Sequence, residues 1–310
     1  MLPPAIEVAH LAHRYGARLA LDDFSLRIER GEIFVFLGPN GSGKTTLFRL
    51  LSTLIPLQNG DARILGFDLR RETRHVQQTL GVVFQAPSLD RKLTVGENLR
   101  HQGHLYGLSG RMLKDRQSEL LARLGLADRE RDRVETLSGG LRRRAELAKG
   151  LLHHPQVLLL DEPSTGLDPG ARADLWEYLT RLRQTSGTTI VLTTHLLDEA
   201  ERADRIAILH QGRTVALDTP ANLRAQVGGD SITITTDDPT ALAAAIAERF
   251  QVPARALEGS VRLELPEGHL WVPRLVEAFG AQVEAITLGK PTLEDVFIAR
   301  TGHRFWEDAA

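Results

Sequence analysis

The sequence predicts an α/β fold with a mixed sheet core, followed by a small C-terminal α+β domain. Three observations support this prediction. Continuous apolar runs such as Val157–Leu160, typical of strands buried on both faces of a parallel sheet, alternate with segments of helical periodicity. A glycine-rich loop, Gly38–Thr45, lies between one such run and a helical segment. After Gly228, short strands of alternating polarity replace the continuous runs.

The composition is that of an ordinary globular protein. Of the 310 residues, 42% are hydrophobic and 25% are charged, and the formal net charge is −2. This length accommodates one large domain and one small domain. Because the chain has no cysteine, disulfides and thiolate metal sites are excluded, which agrees with a cytosolic location.

The first part of the chain is expected to contain antiparallel strands and one core strand, between Ile6 and about Leu69. Gly31–Leu37 is a short apolar run with β-branched and aromatic residues, which predicts a buried strand. The loop after it fits the G-x-x-x-x-G-K-[ST] pattern, whose glycines let the backbone turn around phosphate oxygens. Lys44 is placed to reach the β- and γ-phosphates, and the Thr45 hydroxyl is placed to ligate Mg²⁺. The helix predicted from Thr45 to Leu54 directs its N-terminus at the phosphates.

The region from about residue 86 to residue 152 is predicted to be mostly helical. Within it, Leu137-Ser138-Gly139-Gly140 offers backbone N–H groups and a hydroxyl at the start of a helix, which suits an anion. Two phosphate-binding devices in one chain suggest that two chains hold nucleotide between them. The next residues, Arg142–Arg144, are interpreted as a solvated helical face rather than as a dedicated anion site.

Two carboxylates follow the apolar run at Val157–Leu160. Asp161, at the end of the predicted strand, suits Mg²⁺ directly or through water. Glu162 is placed to polarise an attacking water. A solvated acidic turn is the alternative interpretation, but it explains one carboxylate and not both.

Three further residues are weak signals by themselves. His195 follows the predicted strand Thr188–Thr194, and Gln85 follows Gly81–Phe84, so either could be a polar strand end. Tyr15 could stack on a base, although a surface or half-buried tyrosine is the simpler interpretation.

Together and in this order, the motifs resemble the ATP-binding subunit of an ATP-binding-cassette (ABC) transporter over about residues 5–225. The resemblance implies a P-loop NTPase fold of the ABC type, with a helical subdomain at about residues 86–152. It also implies binding of ATP and Mg²⁺. The implied nucleotide-binding residues are Tyr15, Gly38, Pro39, Asn40, Gly41, Ser42, Gly43, Lys44, Thr45, Thr46, Gln85, Ser138, Gly139, Gly140 and Asp161. Thr45, Gln85 and Asp161 correspond to the metal contacts, and the catalytic residues correspond to Glu162, His195 and Lys44.

Other segments refine the resemblance. Ser164–Asp168 matches the loop that crosses the dimer interface in the family. Leu141 stands where glutamine is usual after the signature, but Ser138 and both glycines are intact, so activity is expected. Arg142–Arg144 and the late segment Pro291–Phe297 resemble the daunorubicin-resistance branch of export-type subunits.

The resemblance also implies partners and a location. No stretch reaches about 18 consecutive apolar residues, so a membrane-spanning permease is expected to be a separate polypeptide. Pro87–Val95 is the candidate contact with it, on the cytoplasmic, inner face of the cell membrane. The subunit is expected to homodimerise head to tail through ATP. The alternative is a non-transport ABC ATPase that acts mechanically on ribosomes or DNA, which usually carries two cassettes or a long coiled coil.

Two domains are predicted, an ATP-binding domain at residues 1–228 and a small α+β domain at residues 229–310. Residues 230–310 contain seven basic and thirteen acidic side chains, a net charge of −6, which disfavours nucleic-acid binding. A dimer-stabilising appendage is the preferred interpretation of this domain over a ligand sensor, because it contains no pocket motif.

Overall fold

The structure, a computed structural model, describes residues 2–305, which divide between Thr214 and Val215 into two compact units. Residue 1 of the first predicted domain and residues 306–310 of the second lie outside the described residues. The domain boundary predicted at residue 228 stays a proposal. Within residues 2–305, no helix combines the length and the apolarity that crossing a bilayer requires.

The first unit contains two sheets. Its strands are β1 (Ile6–Tyr15), β2 (Arg18–Ile28), β3 (Ile33–Leu37), β4 (Asn59–Ile64), β5 (Phe67–Asp68), β6 (Leu80–Val83), β7 (Val157–Asp161), β8 (Thr189–Thr194), β9 (Arg205–His210) and β10 (Arg213–Asp218), which crosses the division point. The antiparallel sheet has the order β2-β1-β4-β5, and the larger sheet has the order β10-β9-β3-β8-β7-β6. From β9 through β6 the pairing is parallel. Because the other sheet is antiparallel, the core combines both kinds of pairing, and the predicted mixed sheet core is confirmed.

The core strands of this unit are buried along their whole length. Every residue of β3, β7 and β8 is buried, as their continuous apolar runs predict for strands covered on both faces. Phe36 of β3 makes edge-to-face ring contacts with Phe34 and with Phe24 of β2, at centroid distances of 5.2 and 6.2 Å. These contacts join residues of the two sheets in one hydrophobic core.

The helices of the first unit are α1 (Lys44–Leu51), α2 (Thr73–Thr79), α3 (Val95–Leu105), α4 (Gly110–Arg123), α5 (Gly139–Leu151), α6 (Pro169–Ser186) and α7 (Leu197–Ala200). The helix predicted from Thr45 to Leu54 therefore ends three residues earlier, at Leu51. The predicted helical subdomain corresponds to α3, α4 and α5. Thr94 begins α3 with a capping box to Glu97, which satisfies two backbone N–H groups that the helix start leaves open.

The order of the parallel strands determines where the predicted site residues meet. In the strand order β3-β8-β7-β6, neighbouring strands run in the same direction, so their carboxyl ends lie along one edge of the sheet. The phosphate loop follows β3, His195 follows β8, Asp161 and Glu162 lie at the end of β7, and Gln85 follows β6. Segments that are far apart in the sequence are therefore collected at one edge.

The second unit is an antiparallel sheet packed with helices, as the predicted α+β class requires. Its elements are α8 (Pro220–Val227), β11 (Asp230–Thr235), α9 (Pro239–Phe250), β12 (Arg255–Leu257), β13 (Ser260–Leu265), α10 (Gly268–Phe279), β14 (Ala285–Gly289) and α11 (Leu293–Thr301), with the strand order β12-β13-β11-β14. A separate hydrophobic core forms from residues such as Ile232, Leu263 and Leu275.

A buried ion pair fastens α11 within the second unit. Thr292 and Asp295 form a capping box at the start of the helix, in which Asp295 accepts from the Thr292 backbone N–H at 2.7 Å. The other Asp295 oxygen pairs with Arg262 of β13. Leu293, Val296 and Phe297 are buried beside this pair. The segment Pro291–Phe297, singled out by resemblance alone, therefore has a structural function.

Candidate functional site

The phosphate loop folds around the side chain of Lys44. The Lys44 ammonium is buried and donates hydrogen bonds to the carbonyls of Gly38 at 2.6 Å and Pro39 at 3.0 Å. Burial lowers the pKa of Lys44, and the negative charges of Glu162 and Asp161 partly oppose this. The loop therefore presents a cation whose charge is incompletely balanced by its neighbours, which suits an anionic ligand.

The loop packs too closely against neighbouring backbone to accept a side chain at Gly43. Gly43 has φ +106°, and a Cβ there would lie 2.7 Å from the Ala20 carbonyl oxygen. Among the described residues, the buried Ser42 hydroxyl has no hydrogen-bond partner. A cradle of glycines with an unsatisfied buried hydroxyl fits the phosphate oxygens of a nucleotide.

A cavity of about 440 Å³, here called the phosphate-loop cavity, opens beside these groups, and this volume suits a small ligand. It brings together most of the predicted site. Its lining residues are Tyr15, Arg18, Ala20, Asn40, Gly41, Gly43, Lys44, Thr45, Thr46, Arg49, Gln85 and Glu162.

A threonine on the neighbouring strand holds the Asp161 carboxylate and the Glu162 backbone. Thr193 pairs with Asp161 in the β7–β8 register, and its hydroxyl donates to Asp161 Oδ1 at 2.6 Å. The same hydroxyl accepts from the Glu162 backbone N–H at 3.0 Å. Burial is the main cause that raises the pKa of Asp161, and the nearby Glu162 charge adds to it, whereas Thr193 and Lys44 lower it.

Three polar side chains converge on one oxygen of Glu162. Glu162 Oε2 accepts from Gln85 Nε2 at 3.2 Å and from Thr165 Oγ1 at 3.1 Å, and it lies 3.2 Å from His195 Nδ1. The backbone of Glu162 has φ +43°, a left-handed conformation that is unfavourable for a residue with a side chain. Such strain is kept where surrounding structure enforces it, and it is frequent at catalytic sites.

The donor atoms at the cavity suit magnesium. Within residues 2–305, no three His, Cys, Asp or Glu side chains form a cluster able to hold a metal ion. The predicted metal ligands are the hydroxyl of Thr45, the amide oxygen of Gln85 and the carboxylate of Asp161, and phosphate oxygens of the nucleotide would complete this set. Mg²⁺ is usually bound by one or two carboxylates and by the phosphates of its substrate, so this set fits it.

Tyr15 lies at the rim of the phosphate-loop cavity. The side chain is 45% exposed, and its ring contacts His13 edge-on at a centroid distance of 4.8 Å. An exposed aromatic face next to a phosphate-binding loop is available for stacking on a base. The assignment of Tyr15 to adenine stacking stays a prediction.

The Ser138–Gly140 segment begins α5 and is separate from this cavity. Ser138 is the N-cap, and its hydroxyl accepts from the Leu141 N–H at 3.3 Å. Ser138 and Gly139 are exposed, and a Cβ on Gly139 would meet nothing within 4 Å. Of the described residues that line the phosphate-loop cavity, none belongs to this segment. The structure thus brings together Lys44, Gln85, Glu162 and His195. Gly139 lines a smaller pocket with Gln85 and Glu162, but no residue of Ser138–Gly140 lines the cavity beside Lys44.

The sequence patterns did not predict every residue of the site. The interpretation of Arg142–Arg144 as a solvated face is wrong for Arg143, which is mostly buried and donates to the carbonyls of Phe84, Asp161 and Pro163. Three consecutive arginines point in three directions around a helix, and the local sequence does not reveal which one faces inward. Thr193 was also missed, because its position opposite Asp161 depends on the pairing of β7 with β8, which the local sequence does not reveal.

Glu146, another residue that sequence reasoning missed, fixes the segment after Gln85. It is buried on α5 and accepts from the backbone N–H of Ser88 at 2.7 Å and of Leu89 at 3.1 Å. Lys149, one turn along α5, donates to the Ser88 carbonyl at 2.7 Å. The start of the segment Pro87–Val95 is therefore held by α5.

Comparison with known proteins gives consistent results. A family profile described as "ABC transporter" matches residues 21–165. The daunorubicin resistance ATP-binding protein DrrA2 of Streptomyces coeruleorubidus is 40% identical, over 97% of this chain and 96% of the relative. The linearmycin resistance ATP-binding protein LnrL of Bacillus subtilis is 33% identical, over 96% of this chain and 98% of the relative. A solved structure titled "Structure of ATP binding subunit of ABC transporter" has a TM-score of 0.65 and 31% identity, covering 73% of this chain and 93% of that one.

Proposed function

The chain belongs to the ABC transporter ATP-binding proteins, which hydrolyse ATP, and on that basis we propose that it encloses two Mg·ATP in a head-to-tail homodimer that drives export through a separate permease. The relatives reported above are named as resistance ATP-binding proteins, and each aligns with nearly the whole of this chain. They support this function and not the alternative, a mechanical module on ribosomes or DNA.

The observation that carries the proposal is the convergence of Gln85, Thr165 and His195 on Glu162 beside the phosphate-loop cavity. Glu162 orients the attacking water and accepts its proton. Its three neighbours hold the carboxylate in one orientation, and Lys44 compensates negative charge on the phosphates. Thr45, Gln85 and Asp161 would hold Mg²⁺, which would supply further neutralisation of phosphate charge when bound.

The second half of each site comes from the opposing chain. The exposed N-terminus of α5 presents Ser138, Gly139 and Gly140, and backbone N–H groups at a helix start attract anions. This segment does not line the cavity of its own chain. An exposed phosphate device that is separate from the phosphate loop supports a site that is completed by a second copy.

The test of this arrangement uses two lesions in different chains. Ser138→Arg places a bulky cation where the opposing nucleotide is expected to dock, while ATP binding to the monomer is retained because the phosphate loop is unchanged. Lys44→Ala weakens ATP binding by removing a charge-assisted contact. We expect each variant alone to lose ATP-dependent dimerisation, measured by light scattering. Their mixture is expected to recover heterodimers, because one of its two composite sites carries neither lesion.

Ser109→Arg is the matched control. Ser109 is an exposed serine at the N-cap of α4 and makes no side-chain capping hydrogen bond. This variant should dimerise with ATP as the wild type does. If Ser138→Arg dimerises equally well, the shared-site arrangement is wrong for this chain.

A groove next to the segment Pro87–Val95 supports docking of the permease there. It has a volume of about 750 Å³ and is lined on its apolar side by Leu80, Val82, Phe84 and Leu105, with Ser88 of the segment beside them. Leu105 is 81% exposed, so its side chain offers apolar surface at this groove. We propose that cytosolic helices of the permease occupy this groove, which places the subunit peripherally on the cytoplasmic face of the cell membrane.

The names of the relatives refer to resistance or to export, and they do not name one compound. They refer to daunorubicin resistance, to linearmycin resistance and to Nod factor export, the last for a relative from Rhizobium johnstonii with 36% identity. The compounds in these names differ, although the ATP-binding chains are similar over nearly their whole length. Specificity is therefore assigned to the permease.

A further inference from the structure

Arg143 bonds to two segments that surround the proposed catalytic carboxylate, the end of β6 and the end of β7. From the second turn of α5, its guanidinium donates to the Pro163 carbonyl at 2.7 Å, to the Phe84 carbonyl at 2.8 Å and to the Asp161 carbonyl at 3.3 Å. A planar guanidinium with several donors in fixed directions holds three acceptors in one geometry.

The three carbonyls belong to residues adjacent to Gln85 and Glu162. Phe84 immediately precedes Gln85, and Asp161 and Pro163 stand on either side of Glu162. Glu162 has the left-handed φ of +43°, and such a conformation persists only where its surroundings impose it. The bonds to Asp161 and Pro163 fix the backbone on both sides of that strained residue, while the bond to Phe84 fixes the strand end that delivers Gln85 to Glu162 Oε2.

The neighbouring arginines make no comparable contacts. Arg142 donates to the Leu137 carbonyl at 3.0 Å, just before its own helix, and Arg144 pairs with Asp174 of α6 at 2.6 Å. Only the middle residue of the three bridges from α5 to β6 and to the end of β7.

We propose that Arg143 is a positioning residue for hydrolysis, which holds Glu162 and Gln85 in their catalytic orientation from the helix that carries Ser138–Gly140. The inference rests on the proposed role of Glu162 as the base. The helix α5 begins with the segment Ser138–Gly140, which is proposed to bind the nucleotide held by the opposing chain. Arg143 therefore also links the position of α5 to the geometry of the site in its own chain. A displacement of about 1 Å at a reacting group is enough to lower a rate about 10²-fold.

The test compares Arg143→Gln, Arg143→Lys and the matched Arg144→Gln in the full-length chain with Mg·ATP. We expect Arg143→Gln to lower kcat about 10²-fold, with the dissociation constant for ATP unchanged, because the phosphate loop is intact. Arg143→Lys should recover part of the rate, since an ammonium can still donate to some of these carbonyls. Arg144→Gln should keep the wild-type rate. Near-ultraviolet circular dichroism and ATP binding establish that each variant is folded.

A double-mutant cycle separates positioning from general destabilisation. If Arg143 acts through Glu162, adding Arg143→Gln to Glu162→Gln should cause no further loss in single-turnover rate. Two independent losses that multiply would overturn the proposal, as would a wild-type kcat for Arg143→Gln. If Glu162→Gln itself turns over normally, the proposed function fails instead, so the two failures are distinguishable.

Discussion

The two units of this protein use buried charge in opposite ways. In the second unit, both oxygens of Asp295 are engaged, one by Arg262 and the other by the N–H and hydroxyl of Thr292. In the first unit, Lys44 and Glu162 line an open cavity of about 440 Å³. The backbone at Glu162 is also left-handed, whereas Asp295 lies in a regular helix.

The difference separates structural charges from functional ones. A buried charge whose partners lie on packed elements of its own unit is neutralised within that unit, so it leaves no charge for a ligand to balance. A buried cation and a carboxylate at a cavity, beside an unsatisfied hydroxyl at Ser42 and a strained backbone, lower the stability of the unliganded fold. Such an arrangement is retained because a ligand or a reaction uses it.

The largest expected effect follows from changing Glu162, the functional charge of this comparison. Glu162→Gln keeps the shape of the side chain and removes the proton acceptor, so we expect kcat for ATP hydrolysis to fall about 10²–10⁴-fold. ATP affinity should persist, and ATP-bound dimers should accumulate. A phosphate-release assay and light scattering measure the two quantities. The matched Glu177→Gln, on the surface of α6 and paired with Arg181, should leave kcat unchanged. A Glu162→Gln variant that hydrolyses ATP normally would contradict the assignment of Glu162 as the proton acceptor.

The structural charge should behave in the opposite way. Asp295→Ala leaves Arg262 buried without its carboxylate, and breaking a buried pair in this way costs about 3–5 kcal/mol. We expect faster amide hydrogen exchange in β11 and β13, because the free energy of local opening falls by that amount.

Glu277 of α10 provides the control for this measurement. Glu277 is exposed and lies outside the Arg262–Asp295 pair. Glu277→Ala should therefore leave exchange in the second unit nearly unchanged. Equal exchange in the two variants would mean that the Asp295 pair does not stabilise this unit.

The sequence predicts the fold class and much of the functional region of the first unit, because these features depend on local patterns. The fold class followed from continuous apolar runs, and the strand–loop–helix order of the phosphate loop followed from fixed spacing. His195 and Gln85 were weak individually, yet each follows a parallel strand, and the strand order places both beside Glu162.

Other features depend on tertiary packing. The inward direction of Arg143 depends on how α5 rotates against β6, and neither its periodicity nor its neighbours specify that rotation. Likewise, Arg262 lies on β13, 33 residues before its partner Asp295. Only the assembled sheet and helix bring this pair together. Long-range polar contacts were therefore the part that local patterns could not supply.

The smallest expected effect concerns Tyr15, an exposed residue of the functional region. Tyr15→Ala should weaken ATP binding by about 1 kcal/mol, roughly five-fold in the dissociation constant, because one stacked ring contributes about that much. Its exposure of 45% means that little packing is lost, so stability should change far less than in Asp295→Ala. Calorimetry with ATP and with inorganic tripolyphosphate separates the base from the phosphates, since only ATP offers an adenine. We expect Tyr15→Phe, the matched control, to bind both ligands like the wild type. If Tyr15→Ala weakens tripolyphosphate as much as ATP, the residue supports the phosphate loop and does not stack on adenine.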